Sequence, residues 1–153
     1  MSESTSTLHA VLDANLIVSG TITPSGTPGQ ILRAWRRQGF VLHTSADLIA
    51  EVGPVLSRQR IQARYGLLSS DIDQFVESLK DYVTPHMPLT ELPIHCRDSR
   101  DDKVLACAFG SGAQYIVTGD DDLLSLEGEP SLGRLKIVTP RQFLDILGEQ
   151  KQA

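Results

Sequence analysis

The stretch DSRDDKVLACAFGSGAQYIVTGDDDLL, residues 98–124, sets two clusters of aspartate at the two ends of an apolar core. Asp98, Asp101 and Asp102 stand before it, and Asp120, Asp121 and Asp122 after it. The run from Lys103 to Phe109 is apolar at helical spacing, with Ser99 as its expected cap and Asp101 and Asp102 in a first turn that favours negative charge. Gly110 and Gly112 end it. The β-branched run YIVTG that follows reads as a strand, and DDDLLSL as the start of a short helix. Like charges repel, so a compact fold brings such clusters together only if something offsets the cost.

The same grammar extends in both directions. LHAVLDAN is a short strand ending at Asp13, nearly all apolar at its centre, as a strand covered on both faces would be. TITPSGTPGQ is a turn-rich loop, and ILRAWRRQG a helix stopping at Gly39. FVLHT is a second strand. SADLIAEVGPVLSR is a helix capped by Ser45 and interrupted or kinked at Pro54. SSDIDQFVESLKDYV is an amphipathic helix, and the proline-bearing TPHMPLTELPIHC an extended connection with a short edge strand at its start. LKIVTP is the last strand and PRQFLDILG the last helix, with Pro140 suited to a first turn. Strands alternating with helices imply an α/β fold with a mainly parallel sheet covered on both faces. One domain over 8–148 is expected, with frayed tails at 1–7 and 149–153.

In open parallel sheets, sites form beyond the carboxyl ends of the strands. Asp13 sits at the end of the first strand and Asp120–Asp122 follow YIVTG. A crossover helix runs antiparallel to the strand it feeds, so the start of the helix carrying Asp101 and Asp102 falls at the same edge. Glu51 lies one to two turns into the helix after FVLHT and can lean over that edge. Each acid alone fits an ordinary role as a cap, a dipole complement or an exposed helix residue. Together they point to one crevice whose natural occupant is a hard divalent cation with oxygen ligands.

Composition bounds the function class. The chain has 153 residues, 14 basic against 19 acidic, for a net charge of −5. That argues against a generic nucleic-acid binder unless many acids converge on a cation. Arg33, Arg36 and Arg37 share one helical face, and Arg58, Arg60 and Arg64 form a second group; both also read as solvated faces. No run approaches the roughly 18 apolar residues that cross a bilayer, and MSESTST lacks the features of a secretion signal, so a cytoplasmic protein without membrane association is expected. Cys96 and Cys107 form no metal-ligand pair and read as reduced thiols. His9, His43, His86 and His95 lack ligand spacing and read as structural.

The segments VLDANLIVSG, LIAEV, CRDSRDDKVLACA, YIVTGDDDLL and KIVTPRQFL, taken in that order, resemble the PIN-domain family, in particular the small prokaryotic toxins of toxin–antitoxin pairs. The resemblance implies a three-layer α/β/α sandwich with a five-stranded, mainly parallel sheet, and Mg²⁺- or Mn²⁺-dependent endonucleolytic cleavage of RNA. It assigns Asp13, Glu51, Asp102 and Asp120 as catalytic, metal-holding acids, with Asp122 as an auxiliary ligand. Asn15 would orient Asp13 by hydrogen bonding, and Thr118 matches a polar position beside the site. Asp101 and Asp121 would be additional charge. Ala14 stands where a hydroxyl is common, and Ser99-Arg100 where proline and an acid often stand. The resemblance also implies a cognate antitoxin and a homodimer.

On this reading, water attacks the phosphodiester and leaves a 5′-phosphate and a 3′-hydroxyl. Arg33, Arg36, Arg37 and Lys103 are candidates to steer the RNA backbone. Two other readings are weighed against it. A catalytically silent PIN fold could bind RNA or a protein. A haloacid-dehalogenase-like phosphatase also uses a strand-end aspartate and Mg²⁺, but needs D-x-D-x-[TV], where this chain has DANLI.

Overall fold

A computed structural model describes residues 7–152, and side chains as far as Gly148. Of the expected tails at 1–7 and 149–153, residues 1–6 and 153 lie outside the described residues. Four strands form the sheet: β1 (His9–Leu12), β2 (Val41–His43), β3 (Tyr115–Val117) and β4 (Lys136–Val138). Their spatial order is β2-β1-β3-β4 and every pairing is parallel. The helices are α1 (Ala14–Ile22), α2 (Thr27–Arg36), α3 (Ala46–Leu56), α4 (Gln59–Tyr65), α5 (Ser69–Leu79), α6 (Asp102–Ser111), α7 (Asp121–Leu124) and α8 (Pro140–Gln152).

The core lies on both faces of the sheet because strand side chains alternate. Ala10 and Leu12 of β1, Leu42 of β2 and Val138 of β4 face α1, α2, α3, α5 and α8. Val11, Ile116 and Ile137 face the other way, onto α6 and the segment holding Leu92 and Cys96. Strands buried on both faces read as continuous apolar runs, which is why β1 was visible in the sequence.

The expected fifth strand is absent among the described residues. The chain meets the edge of β2 only at an isolated bridge between Thr44 and Val83. Thr44 N–H donates to Tyr82 C=O at 3.1 Å, and Thr84 N–H donates to Thr44 C=O at 3.1 Å. Pro85 then has no N–H to continue the ladder, and on the sheet side Ser45 already caps α3 through Leu48 N–H at 3.2 Å. Pairing is pinched off from both sides.

Two helices were not expected. α1 begins immediately after β1, with Leu16, Ile17 and Gly20 buried and Asp13 as its N-cap. Its apolar residues are not confined to one stripe, so periodicity does not report it. α4 buries no residue, and its arginines face solvent. α3 passes through Pro54 and ends at Leu56, and α8 continues four residues past the expected end at Gly148.

Gly20 sets the crossing of α1 on α2, and Gly29 lets the start of α2 pack against the loop that precedes it. A Cβ at Gly29 would stand 2.0 Å from Pro24 C=O, and one at Gly20 would stand 2.7 Å from Leu32 Cδ1. This close approach carries the first turn of α2 to the carboxyl edge of the sheet.

The end of α2 differs from the expected glycine stop. Gln38, not Gly39, takes the left-handed conformation, at φ 63°. Gln38 N–H donates to Trp35 C=O and Gly39 N–H to Ala34 C=O, each at 2.8 Å, closing the helix with the paired bonds of a Schellman motif. A side chain in that conformation costs about 1–2 kcal/mol. Gln38→Gly is therefore expected to stabilise the fold by about 1 kcal/mol, raising Tm by about 2–4 °C in a thermal melt. A lower Tm would show that the Gln38 side chain contributes more than its backbone costs.

Candidate active site

The register of the sheet builds the site. Leu12 pairs with Val117, so Asp13 and Thr118 are the next residues on adjacent parallel strands. Asp13 N–H still donates to Val117 C=O at 3.2 Å, one rung beyond β1. The Asp13 side chain is buried and fully engaged. Its Oδ1 accepts from Leu16 N–H at 2.8 Å, capping α1, and its Oδ2 accepts from the Thr118 hydroxyl. The Thr118 oxygen in turn accepts from Asp120 N–H at 3.0 Å. Asp120 caps α7, its Oδ1 accepting from Asp122 N–H at 2.9 Å. One buried hydroxyl thus joins the acids at the ends of β1 and β3.

Burial raises the pKa of Asp13, against the lowering effect of the Thr118 and Leu16 donors, and the charges of Asp120 and Glu51 raise it further. Asp101 is pushed up to about 7, first by loss of hydration, then by Asp120, Asp98 and Asp122. One carboxylate oxygen from each of Asp98, Asp101 and Asp122 falls within 4.8 Å of the others. This all-oxygen, acidic donor set fits a hard divalent cation, and the mutual repulsion written into Asp101 is what such a cation would relieve. An open crevice of about 360 Å³ beside it is lined by Asp13, Asn15, Ser19, Pro28, Gly119 and Asp120. A cavity of similar size between α2 and α8 touches none of these acids; its charged residues are Arg33 and Arg37.

The residues singled out in the sequence divide clearly. Asp13, Asp120 and Asp122 converge with Thr118, and Glu51 lies close enough to act on the charge of Asp13. Asn15 is exposed at the crevice, and the orienting bonds on Asp13 come from Leu16 and Thr118 instead. Asp102 is buried facing the protein. Its Oδ1 accepts from Cys96 N–H at 2.7 Å, and its Oδ2 lies 2.8 Å from His95 Nδ1. Asp98 and Asp101, rather than Asp102, cluster with Asp122 and lie near Asp120. The cause is local: residues 99–101 form a 3₁₀ turn capped by Asp98, whose Oδ1 accepts from Arg100 N–H at 3.0 Å. Ser99 therefore does not cap α6, which begins later than the sequence suggests. No spacing rule reports that turn.

The cations divide too. Lys103 Nζ lies 2.9 Å from Glu51 Oε2. Arg33 donates to Pro24 C=O at 2.6 Å and the Arg36 guanidinium lies 5.7 Å from the Phe75 ring centre, both well along α2 from the acids. Cys96 and Cys107 are free and buried, and burial pushes both thiols up to about 12.

A family model described as PIN domain matches residues 9–122, three quarters of the chain. The chain belongs to the PIN-domain family. An uncharacterized protein of Methanocaldococcus jannaschii is 29% identical over 143 residues, which is 90% of each chain. PIN domains are typically nucleases that use a divalent metal, and this PIN domain carries the acidic crevice such chemistry requires. Among the described residues, no helix is long and apolar enough to cross a membrane.

The repulsion has a measurable sign. In the fold Asp101 keeps its proton to about pH 7, whereas an ordinary aspartate loses it near 3.8. Between those values the folded state binds more protons than the unfolded chain, so stability falls as pH rises. Thermal melts in chelator are expected to show Tm declining from about pH 4 toward pH 7 and levelling above it, with Asp101→Asn flattening the decline. A Tm that rises over that range would contradict the crowding of these acids.

Proposed function

We propose that this PIN domain is a Mg²⁺- or Mn²⁺-dependent endoribonuclease and the toxin component of a toxin–antitoxin pair, acting in the cytoplasm. The observation that carries the reading is the meeting of Asp13, Asp98, Asp101, Asp120 and Asp122, from separate segments, at the carboxyl edge of one parallel sheet. A cognate antitoxin and a homodimer belong to the same proposal, on family resemblance.

Asp98, Asp101, Asp120 and Asp122 would hold the cation, with Asp13 beside Asp120 and Glu51 within electrostatic reach of Asp13. A dication bound there supplies Lewis-acid stabilisation of charge on phosphorus and a water of lowered pKa. The chain's own work is positional. Thr118 and Leu16 fix the Asp13 carboxylate in one orientation, and Asp120 is fixed by Thr118 and by its own cap. A carboxyl must lose its proton before it ligates, so Asp101 makes loading more favourable as pH rises toward and past 7. His95 is committed to Asp102 through Nδ1, and the reaction asks for no histidine.

The test is cleavage of labelled RNA in Mg²⁺ or Mn²⁺. Asp13→Asn is expected to abolish cleavage without lowering Tm in chelator, because asparagine also caps helices and the buried charge is gone. Thr118→Val should lower the rate on the order of a hundredfold by releasing Asp13 and Asp120, with Thr118→Ser restoring most of it. Cleavage retained in Asp13→Asn would contradict the assignment. RNA or protein binding without cleavage by the wild type would support the silent binding module instead.

A further inference from the structure

Three cations stand beside the acids gathered at this edge of the sheet, each paired with one of them. Arg100 Nη2 lies 2.8 Å from Asp98 Oδ2, with Arg100 Nε at 3.1 and 3.2 Å from the two Asp98 oxygens. Lys103 Nζ is 2.9 Å from Glu51 Oε2, and Arg97 Nε is 3.6 Å from Asp122 Oδ1. Arg100 is also within electrostatic reach of Asp101 and Glu51. The arginine side chains are 81% and 84% exposed, so their pairs are held weakly and exchange readily with other partners.

We propose that Arg97, Arg100 and Lys103 receive the phosphodiester backbone of the substrate, exchanging their carboxylate partners for phosphate oxygens once a dication takes up the charge of those carboxylates. This rests on the nuclease reading above and names the substrate contacts of that same crevice.

The charge balance favours the exchange. Six carboxylates, from Asp13, Glu51, Asp98, Asp101, Asp120 and Asp122, face three cations, and the whole chain is net −5. A polyanion is repelled by that surface until dications are present. Once a dication takes up charge from Asp98, Glu51 and Asp122, the cations paired with them have donors free for phosphate oxygens close to the acid cluster. Guanidinium donors suit phosphate oxygens by geometry, and the Lys103 ammonium adds a point charge.

The arginines of α2 suit the role less well. Pro28, in the first turn of α2, lines the crevice, and Arg33 to Arg37 lie five to nine residues further, about 8–14 Å along the axis. Arg33 is bonded to Pro24 and Arg36 is stacked on Phe75.

The experiment is fluorescence anisotropy of a labelled single-stranded RNA with the full chain. Ca²⁺ replaces Mg²⁺, and the measurement is repeated over a salt series. The variant Arg97→Gln/Arg100→Gln/Lys103→Gln should lower the slope of log affinity against log salt by about 2, at about 0.7 per lost contact. Arg33→Gln/Arg36→Gln/Arg37→Gln should leave the slope as in wild type. Mn²⁺ binding without RNA should be as tight or tighter in the first variant, because the competing cations are gone. Arg100→Gln alone, at an exposed position, should lower the slope by about 0.7 and guards against misfolding of the triple variant.

The proposal is overturned if the crevice variants keep the wild-type slope, if the α2 variant accounts for the loss, or if Mn²⁺ binding weakens when the cations are removed. A wild type that cleaves RNA while the crevice variants keep its slope removes this inference and leaves the nuclease reading standing. A wild type that neither binds nor cleaves RNA removes both.

Discussion

The hydroxyl of Thr118 is the joint on which the site depends. It donates to a buried carboxylate at the end of β1 and accepts from the backbone of the acid that follows β3. Burying Asp13 would be costly without such partners, since an unpaired buried charge loses hydration worth several kcal/mol. Two donors offset part of that cost, one from the start of α1 and one from Thr118. The arrangement exists because β1 and β3 are parallel neighbours in a register that ends both strands at the same level. Fold and site are therefore one construction: shift the pairing by a residue and Asp13 turns to the other face.

The rest of the crevice is organised by charge. Asp98, Asp101 and Asp122 approach closely enough that Asp101 resists ionisation up to about pH 7. Arg97, Arg100 and Lys103 offset part of the repulsion from the rim. None of these pairs is deeply buried, so they moderate the field without fixing the acids rigidly. A fold optimised only for stability would not gather these side chains. The strain is stored where a cation would relieve it, which is the pattern of a working site.

Much of this was legible in the sequence, for identifiable reasons. β1 and β3 are short, mostly apolar runs with an acid one or three residues past their ends, and the strand-end rule places Asp13 and Asp120 together without coordinates. Other features were hidden by local geometry. α1 is apolar on too many sides to show a helical stripe, and Gln38 occupies a conformation usually left to glycine. The fifth strand shrank to one bridge because Pro85 and the cap of α3 close it off. The 3₁₀ turn at 99–101 delayed the start of α6, so that Asp98 and Asp101 cluster with Asp122 while Asp102 bonds Cys96 and His95. Helical spacing picked out Arg33, Arg36 and Arg37 as a basic face, but spacing says nothing of distance from the acids. Lys103 was a candidate from the sequence too, but its pairing with Glu51 needed three dimensions.

The most direct test of the central claim is anomalous diffraction from a crystal of the wild-type protein soaked in Mn²⁺. The account predicts one or two strong peaks in the crevice, with carboxylate oxygens of Asp101 and Asp120 within about 2.0–2.3 Å and those of Asp98 or Asp122 completing the shell. Peaks confined to other surfaces, with Asp13, Asp101 and Asp120 left unliganded at saturating Mn²⁺, would contradict it.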